Sequence, residues 1–153
     1  MILSGNIFGG QYFYGDLLPY SYDWEFQYLN TVKSGYNSCP YQMDSIEFKS
    51  THINRYWTLT IKQGASVVKT VSMWNSASQV LFSELNLSLS PDLLYTIHLN
   101  CDSGAQLSVL KTDTYANSSL IIDYVAYPTW DIAADIQGKW ILQTPSTKIN
   151  SIY

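Results

Sequence analysis

Two pairs of carboxylates have a spacing that could serve acid–base chemistry. Asp23 and Glu25, in "YDWEFQYL", stand two residues apart, which on a strand puts both on one face. Asp131 and Asp135, in "WDIAADI", stand four apart, which on a helical turn would do the same. Glycoside hydrolysis needs two carboxyl groups facing one another across the scissile bond. Nothing in the linear order brings a second carboxylate across a cleft, and among twelve Asp and Glu such pairs arise by chance. His52 and His98 fall in different elements, and neither has Cys, Asp or Glu around it at metal-ligand spacing. His98 therefore reads as a residue on the solvent face of a strand. No Gly-x-Ser-x-Gly elbow, Cys–His signature or phosphate-cradling glycine loop occurs. The turns "DSG" and "DTYANSS" lack the dense Asp spacing of a calcium loop, and their Asp and Asn read as turn formers. The expectation is a protein that is not an enzyme, with no catalytic, metal-binding or cofactor-binding residue and no cofactor.

Aromatic side chains offer a different chemistry. Tyr12, Phe13, Tyr14, Tyr20, Tyr22, Trp24, Phe26 and Tyr28 crowd the first 28 residues of a chain with 13 tyrosines. In "YSYDWEFQY" the rings of Tyr20, Tyr22, Trp24, Phe26 and Tyr28 alternate with Asp23, Glu25 and Gln27. Such a stripe can be core, a subunit interface, where Tyr and Trp are enriched, or a platform on which rings stack against the apolar faces of sugars. Tyr12, Phe13, Tyr14, Tyr20, Tyr22 and Trp24 are accordingly the interface or ligand candidates.

Positioning these residues falls to a chain of 153 residues, a length for one domain with a self-sufficient core. Charged residues make up 13% of it and the formal net charge is −4. The eight Lys and Arg are scattered between Lys33 and Lys148, which argues against nucleic acid and anionic membranes as partners. The longest apolar runs, such as "SLIIDYVAY", are broken by Asp123 and fall short of the ~20 residues of a membrane-spanning helix. The opening "MILSGNIFGG" has neither the basic nor the apolar region of a secretory signal, so the expectation is a cytosolic product or a chain whose signal has been removed. Cys39 and Cys101 are too few for a disulfide framework and read as two free thiols.

The elements that must do the positioning are short and β-like. Residues 1–21 read as an irregular Gly- and aromatic-rich arm containing at most one short strand, and residues 22–153 as a β-sandwich domain. Trp57, Leu59 and Ile61 alternate with Thr58, Thr60 and Lys62 before a Gln63-Gly64 turn, and Val67 to Trp74 returns. Tyr95, Ile97, Leu99 and Cys101 form one face of a strand, with Thr96, His98 and Asn100 opposite. These alternations assign Trp57, Leu59, Ile61, Tyr95, Ile97 and Leu99 to the core. "LIIDYVAY" reads as the last long core strand, Ile132 to Ile136 as one helical turn, and "KWILQ" as an edge strand.

The pattern Phe82, Leu85, Leu87, Leu89, Pro91, Tyr95, Ile97 resembles the penultimate hairpin of jelly-roll sandwich modules, over a span of residues 43 to 127. That group includes non-catalytic carbohydrate-binding modules and the decoration or attachment domains of phage virions. The resemblance implies an all-β, antiparallel, jelly-roll-like sandwich of about eight strands. The arm's Gly5, Gly9, Gly10 and Gly15 make it costly to order alone, while its Ile7, Phe8, Tyr12, Phe13 and Tyr14 offer apolar surface for a neighbour to cover. The sequence thus points first to a structural or attachment subunit of a phage or viral virion, a homo-oligomer or a partner of other virion subunits. The alternative is a carbohydrate-binding or lectin-like domain, extracellular or at a cell surface, with a surface glycan as partner.

Overall fold

The structure, a computed structural model, describes residues 2–7, 16–17, 20–29, 39–110, 120–128 and 131–141. Every regular element among them is a strand: β1 (Ile2–Ile7), β2 (Asp16–Leu17), β3 (Ser21–Leu29), β4 (Tyr41–Lys49), β5 (Arg55–Gln63), β6 (Ser66–Asn75), β7 (Gln79–Phe82), β8 (Leu87–Leu89), β9 (Leu94–Ala105), β10 (Ser108–Leu110), β11 (Leu120–Ile122), β12 (Val125–Tyr127), β13 (Asp131–Ile132) and β14 (Ala134–Ile141). They build an antiparallel β-sandwich, as the alternating sequence requires. One sheet runs β1-β14-β4-β7, with β8 also on β4; the other runs β12-β11-β3-β9-β5-β6. A small third sheet joins β13, β10 and β2. The strands number more than the eight expected, in part because left-handed residues at Glu84 and Asn86 and at Asp123 and Tyr124 divide runs into short strands.

Core formation follows from period two. Trp24, Phe26 and Tyr28 of β3, Trp57, Leu59 and Ile61 of β5, and Tyr95, Ile97, Leu99 and Cys101 of β9 all turn inward and are buried. They meet Tyr41, Met43, Ile46 and Phe48 of β4 and Ile136 and Trp140 of β14 from the other sheet. Phe26 lies edge-on to Phe48 with ring centroids 6.3 Å apart, and Tyr28 reaches Tyr41 at 6.4 Å. Burial, with a smaller contribution from neighbouring ionisable groups, pushes both the Tyr28 and the Tyr41 phenols far above the ordinary tyrosine range. The six core residues singled out by alternation are all in this layer. Cys39 and Cys101 are buried thiols outside any disulfide, and burial pushes both of them up.

Several local expectations need correction. Leu81 to Cys101 does not form a hairpin: β7 and β8 pair with β4, whereas β9 pairs with β3 and β5, so the Pro91 turn carries the chain from one sheet to the other. Glu84 (φ 56°) and Asn86 (φ 48°) break the run into two strands before that crossing. "LIIDYVAY" is a tight hairpin rather than one strand, since Asp123 (φ 47°) and Tyr124 (φ 67°) both take the left-handed conformation that a two-residue turn needs. Residues 132–136 are not helical: Ile132 pairs with Val109 of β10, and Ala134, Asp135 and Ile136 pair with Phe48, Glu47 and Ile46 of β4. The strand containing "KWI" is internal, lying between β1 and β4. Within the span read as an irregular arm, residues 2–7 pair along β14 and residues 16–17 pair with β10, so both stretches add strands to this chain's own sheets.

Candidate functional site

Strand alternation that fills the core also composes the outward face of the six-stranded sheet. Along one row across the strands lie Ile121, Glu25, His98, Thr60 and Thr70, each the cross-strand partner of the next. A second row holds Asp23, Asn100, Thr58 and Ser72. A third, two residues further along β5 and β6, holds Tyr56 opposite Trp74. The face is therefore a lattice of carboxylates, amides, hydroxyls and one imidazole on a rigid support, with an aromatic pair at its β5–β6 corner.

Hydrogen bonds fix several of these groups. His98 Nε2 lies 2.8 Å from Asp23 Oδ1, which also accepts from Asn100 Nδ2 at 3.0 Å. Thr58 and Ser72 hydroxyls meet at 3.0 Å. Asp123 Oδ1 accepts the backbone N–H groups of Tyr22 (2.8 Å) and Asp23 (2.9 Å), which ties the β11–β12 turn to the start of β3. That turn carries Tyr124 over the face, 88% exposed. Asp23, Glu25, His98, Ile121 and Tyr124 together line a shallow open pocket.

Of the residues that sequence reasoning proposed, the structure brings some to this surface and removes others. Tyr20 and Tyr22 are exposed, in edge-to-face contact at 5.7 Å, with Tyr20 also edge-on to His52 at 5.4 Å. Trp24 is fully buried against Trp57 at 5.7 Å and has no surface to offer a partner or a sugar. The stripe from Tyr20 to Tyr28 is thus not one face, because the β3–β9 register shifts between Ser21 and Asp23 and reverses the alternation there. Tyr12, Phe13 and Tyr14 lie outside the described residues. His98 stands on the outer face as expected, although held by Asp23. His52 is a loop brace whose Nδ1 accepts the Gln106 N–H at 3.1 Å. Asp23 and Glu25 do share a face, whereas Asp131 is fully buried and Asp135 lies on the other sheet. Among the described residues, no group of three or more His, Cys, Asp or Glu is arranged to hold a metal ion. Sequence reasoning missed Tyr56, Trp74 and Tyr124 as surface rings; the Asp-Tyr dipeptide inside an apolar run was the available sign for the last.

No family model matches the sequence, and no curated protein matches it. Its fold is similar to a solved structure of the cysteine protease and lectin-like domains of Cwp84, a surface layer associated protein of Clostridium difficile. The TM-score is 0.52 at 14% sequence identity, over 81% of this chain and 33% of that one, so this chain spans about a third of that protein's length. At such identity the likeness is one of fold, that of a β-sandwich shared with a protein that includes a lectin-like domain.

Proposed function

We propose that this chain is a non-catalytic saccharide-binding domain of lectin-like kind, acting outside the cell or at its surface through the outer face of the six-stranded sheet. The observation that carries the reading is the Tyr56–Trp74 pair. Trp74 is 58% exposed on a strand, directly opposite an exposed Tyr56. A soluble domain gains by burying its largest apolar side chains, so two rings left in water side by side mark a contact surface. Beside them stand Thr58, Ser72 and Asn100, donors and acceptors suited to sugar hydroxyls. A pyranose needs both kinds of contact: a ring to cover its C–H face and short polar groups at its rim. The fold likeness to a structure containing a lectin-like domain favours this reading over that of a virion subunit.

The test is a glycan array followed by titration of the best ligand with the full chain and two variants, Trp74→Ala and Tyr56→Ala. Both side chains are exposed, so melting should stay unchanged while affinity falls about tenfold or more, ~1.4 kcal/mol. Failure of the unaltered chain to bind any glycan, or full affinity in both variants, would overturn the proposal.

A further inference from the structure

The pocket between β11, β3 and β9 gives the saccharide a chemical character, an inference that rests on the saccharide-binding reading. Its walls are Asp23, Glu25, His98, Ile121 and Tyr124. Two of its four ionisable side chains are occupied with each other: His98 Nε2 and Asp23 Oδ1 are 2.8 Å apart, and Asn100 adds a second contact to the same oxygen. Glu25 differs. It lies between Ile121 on one neighbouring strand and His98 on the other, half-buried, and its carboxylate makes no hydrogen bond or ion pair with any described residue. Among the described residues, no Lys or Arg lines the pocket. The nearby Asp123 carboxylate accepts two backbone N–H groups and adds negative charge at the rim.

A carboxylate partly withdrawn from water, and lacking a partner among the described residues, is favourably met by a cationic donor. The remaining described walls are apolar or aromatic: Ile121 beside Glu25 on the neighbouring strand, and the exposed Tyr124 ring, whose face attracts a cation as well as C–H groups. We infer that this pocket selects a sugar carrying a free ammonium group, an amino sugar that is not N-acetylated. The ammonium would sit on Glu25, and the pyranose face would lie against Ile121 and Tyr124. An N-acetyl group removes the charge and leaves one N–H, so it forfeits the ion pair. A uronic acid places like charge against Glu25 and Asp123 and is rejected. From β11 to β6 the face crosses four strand spacings, ~19 Å, so an oligosaccharide can engage the pocket at one end and the Tyr56–Trp74 pair at the other.

Calorimetric titration of the full chain decides the matter with three probes of equal length: a glucosamine oligomer, its fully N-acetylated counterpart and a galacturonate oligomer, at a pH where the amine is protonated. The glucosamine oligomer should bind about tenfold more tightly than the N-acetylated one, weaken with added salt, and lose that margin in Glu25→Gln. The galacturonate oligomer should bind weakest. Glu25→Gln keeps the side chain's shape, and an unchanged melting temperature shows that the fold survives. Equal affinity for the first two probes, or an unaltered margin in Glu25→Gln, overturns the inference and leaves the saccharide reading standing. Array hits confined to neutral glycans do the same. No binding to any glycan overturns both.

Discussion

Asn75 shows what a single side chain can hold together in this protein. Only 1% exposed, it donates from Nδ2 to the carbonyls of His52 (2.9 Å) and Ala77 (3.0 Å) and accepts at Oδ1 from Arg55 N (3.0 Å) and Trp57 Nε1 (2.9 Å). Those four bonds use the amide's whole donor capacity and both acceptor sites. They join the loop before β5, the first turn of β5 and the end of β6, with the buried Trp57 indole locked from one side. Asn75→Ala should therefore destabilise the fold by about 3 kcal/mol, since it strands buried donors and acceptors together. Urea unfolding measures this, and a loss below ~0.5 kcal/mol, the range of ordinary surface substitutions, would contradict the network. The "NSAS" segment shows none of this in sequence, because the role is defined by partners at positions 52, 55, 57 and 77. The same holds for the candidate site. The two-residue spacing of Asp23 and Glu25 made their shared face legible, but the arrival of His98 beside them depends on a pairing between strands 75 residues apart.

At the scale of elements, the strands that are regular were legible and the irregular ones were not. The inward sets of β5 and β9 could be read directly, because alternation specifies faces. It does not specify neighbours, which is why β8 and β9, adjacent in sequence, belong to different sheets. Bulges leave no compositional trace. One extra residue shifts β5 against β6 after Ile61, which accounts for Val67 and Val68 both being exposed beyond the Gln63-Gly64 turn. The bulge where β9 meets Ser21 has a detectable anchor in Gly104, at φ +78°. A Cβ there would stand 2.9 Å from both the Tyr20 and the Tyr22 rings, and closer still to one Tyr20 atom. Gly104→Ala should thus cost more than Gly64→Ala, where φ is +60° but the space is open. Both pay the left-handed backbone penalty of roughly 1–2 kcal/mol, and only the first must also displace two tyrosines. Thermal melts of the two variants, with tyrosine ring signals followed by NMR, separate the terms. Equal losses and unmoved rings would refute the steric account.

Over the whole molecule, the two principal sheets play different parts. The six-stranded one exposes the aromatic pair and the pocket on its outer face. The other closes the core and joins the earliest described strand to the latest: β1 lies along β14 with Ile2 opposite Ile141 and Ile7 opposite Ile136. This register has a mechanical meaning. A load drawn through residues 2 and 141 reaches the β1–β14 hydrogen bonds one at a time, from the Ile2 end, because antiparallel ladder bonds run across the strands. A load drawn through residues 2 and 49 instead pulls β1 and β4 in opposite directions along their lengths, with β14 between them, so it strains both ladders at once. Single-molecule pulling from cysteine handles at these positions should give a much lower first rupture force for the 2–141 pair than for the 2–49 pair, and equal forces would refute the picture. Tension applied through residues 2 and 141 would then peel away one rim strand as a fuse, relieving the strain before it reached the six-stranded sheet.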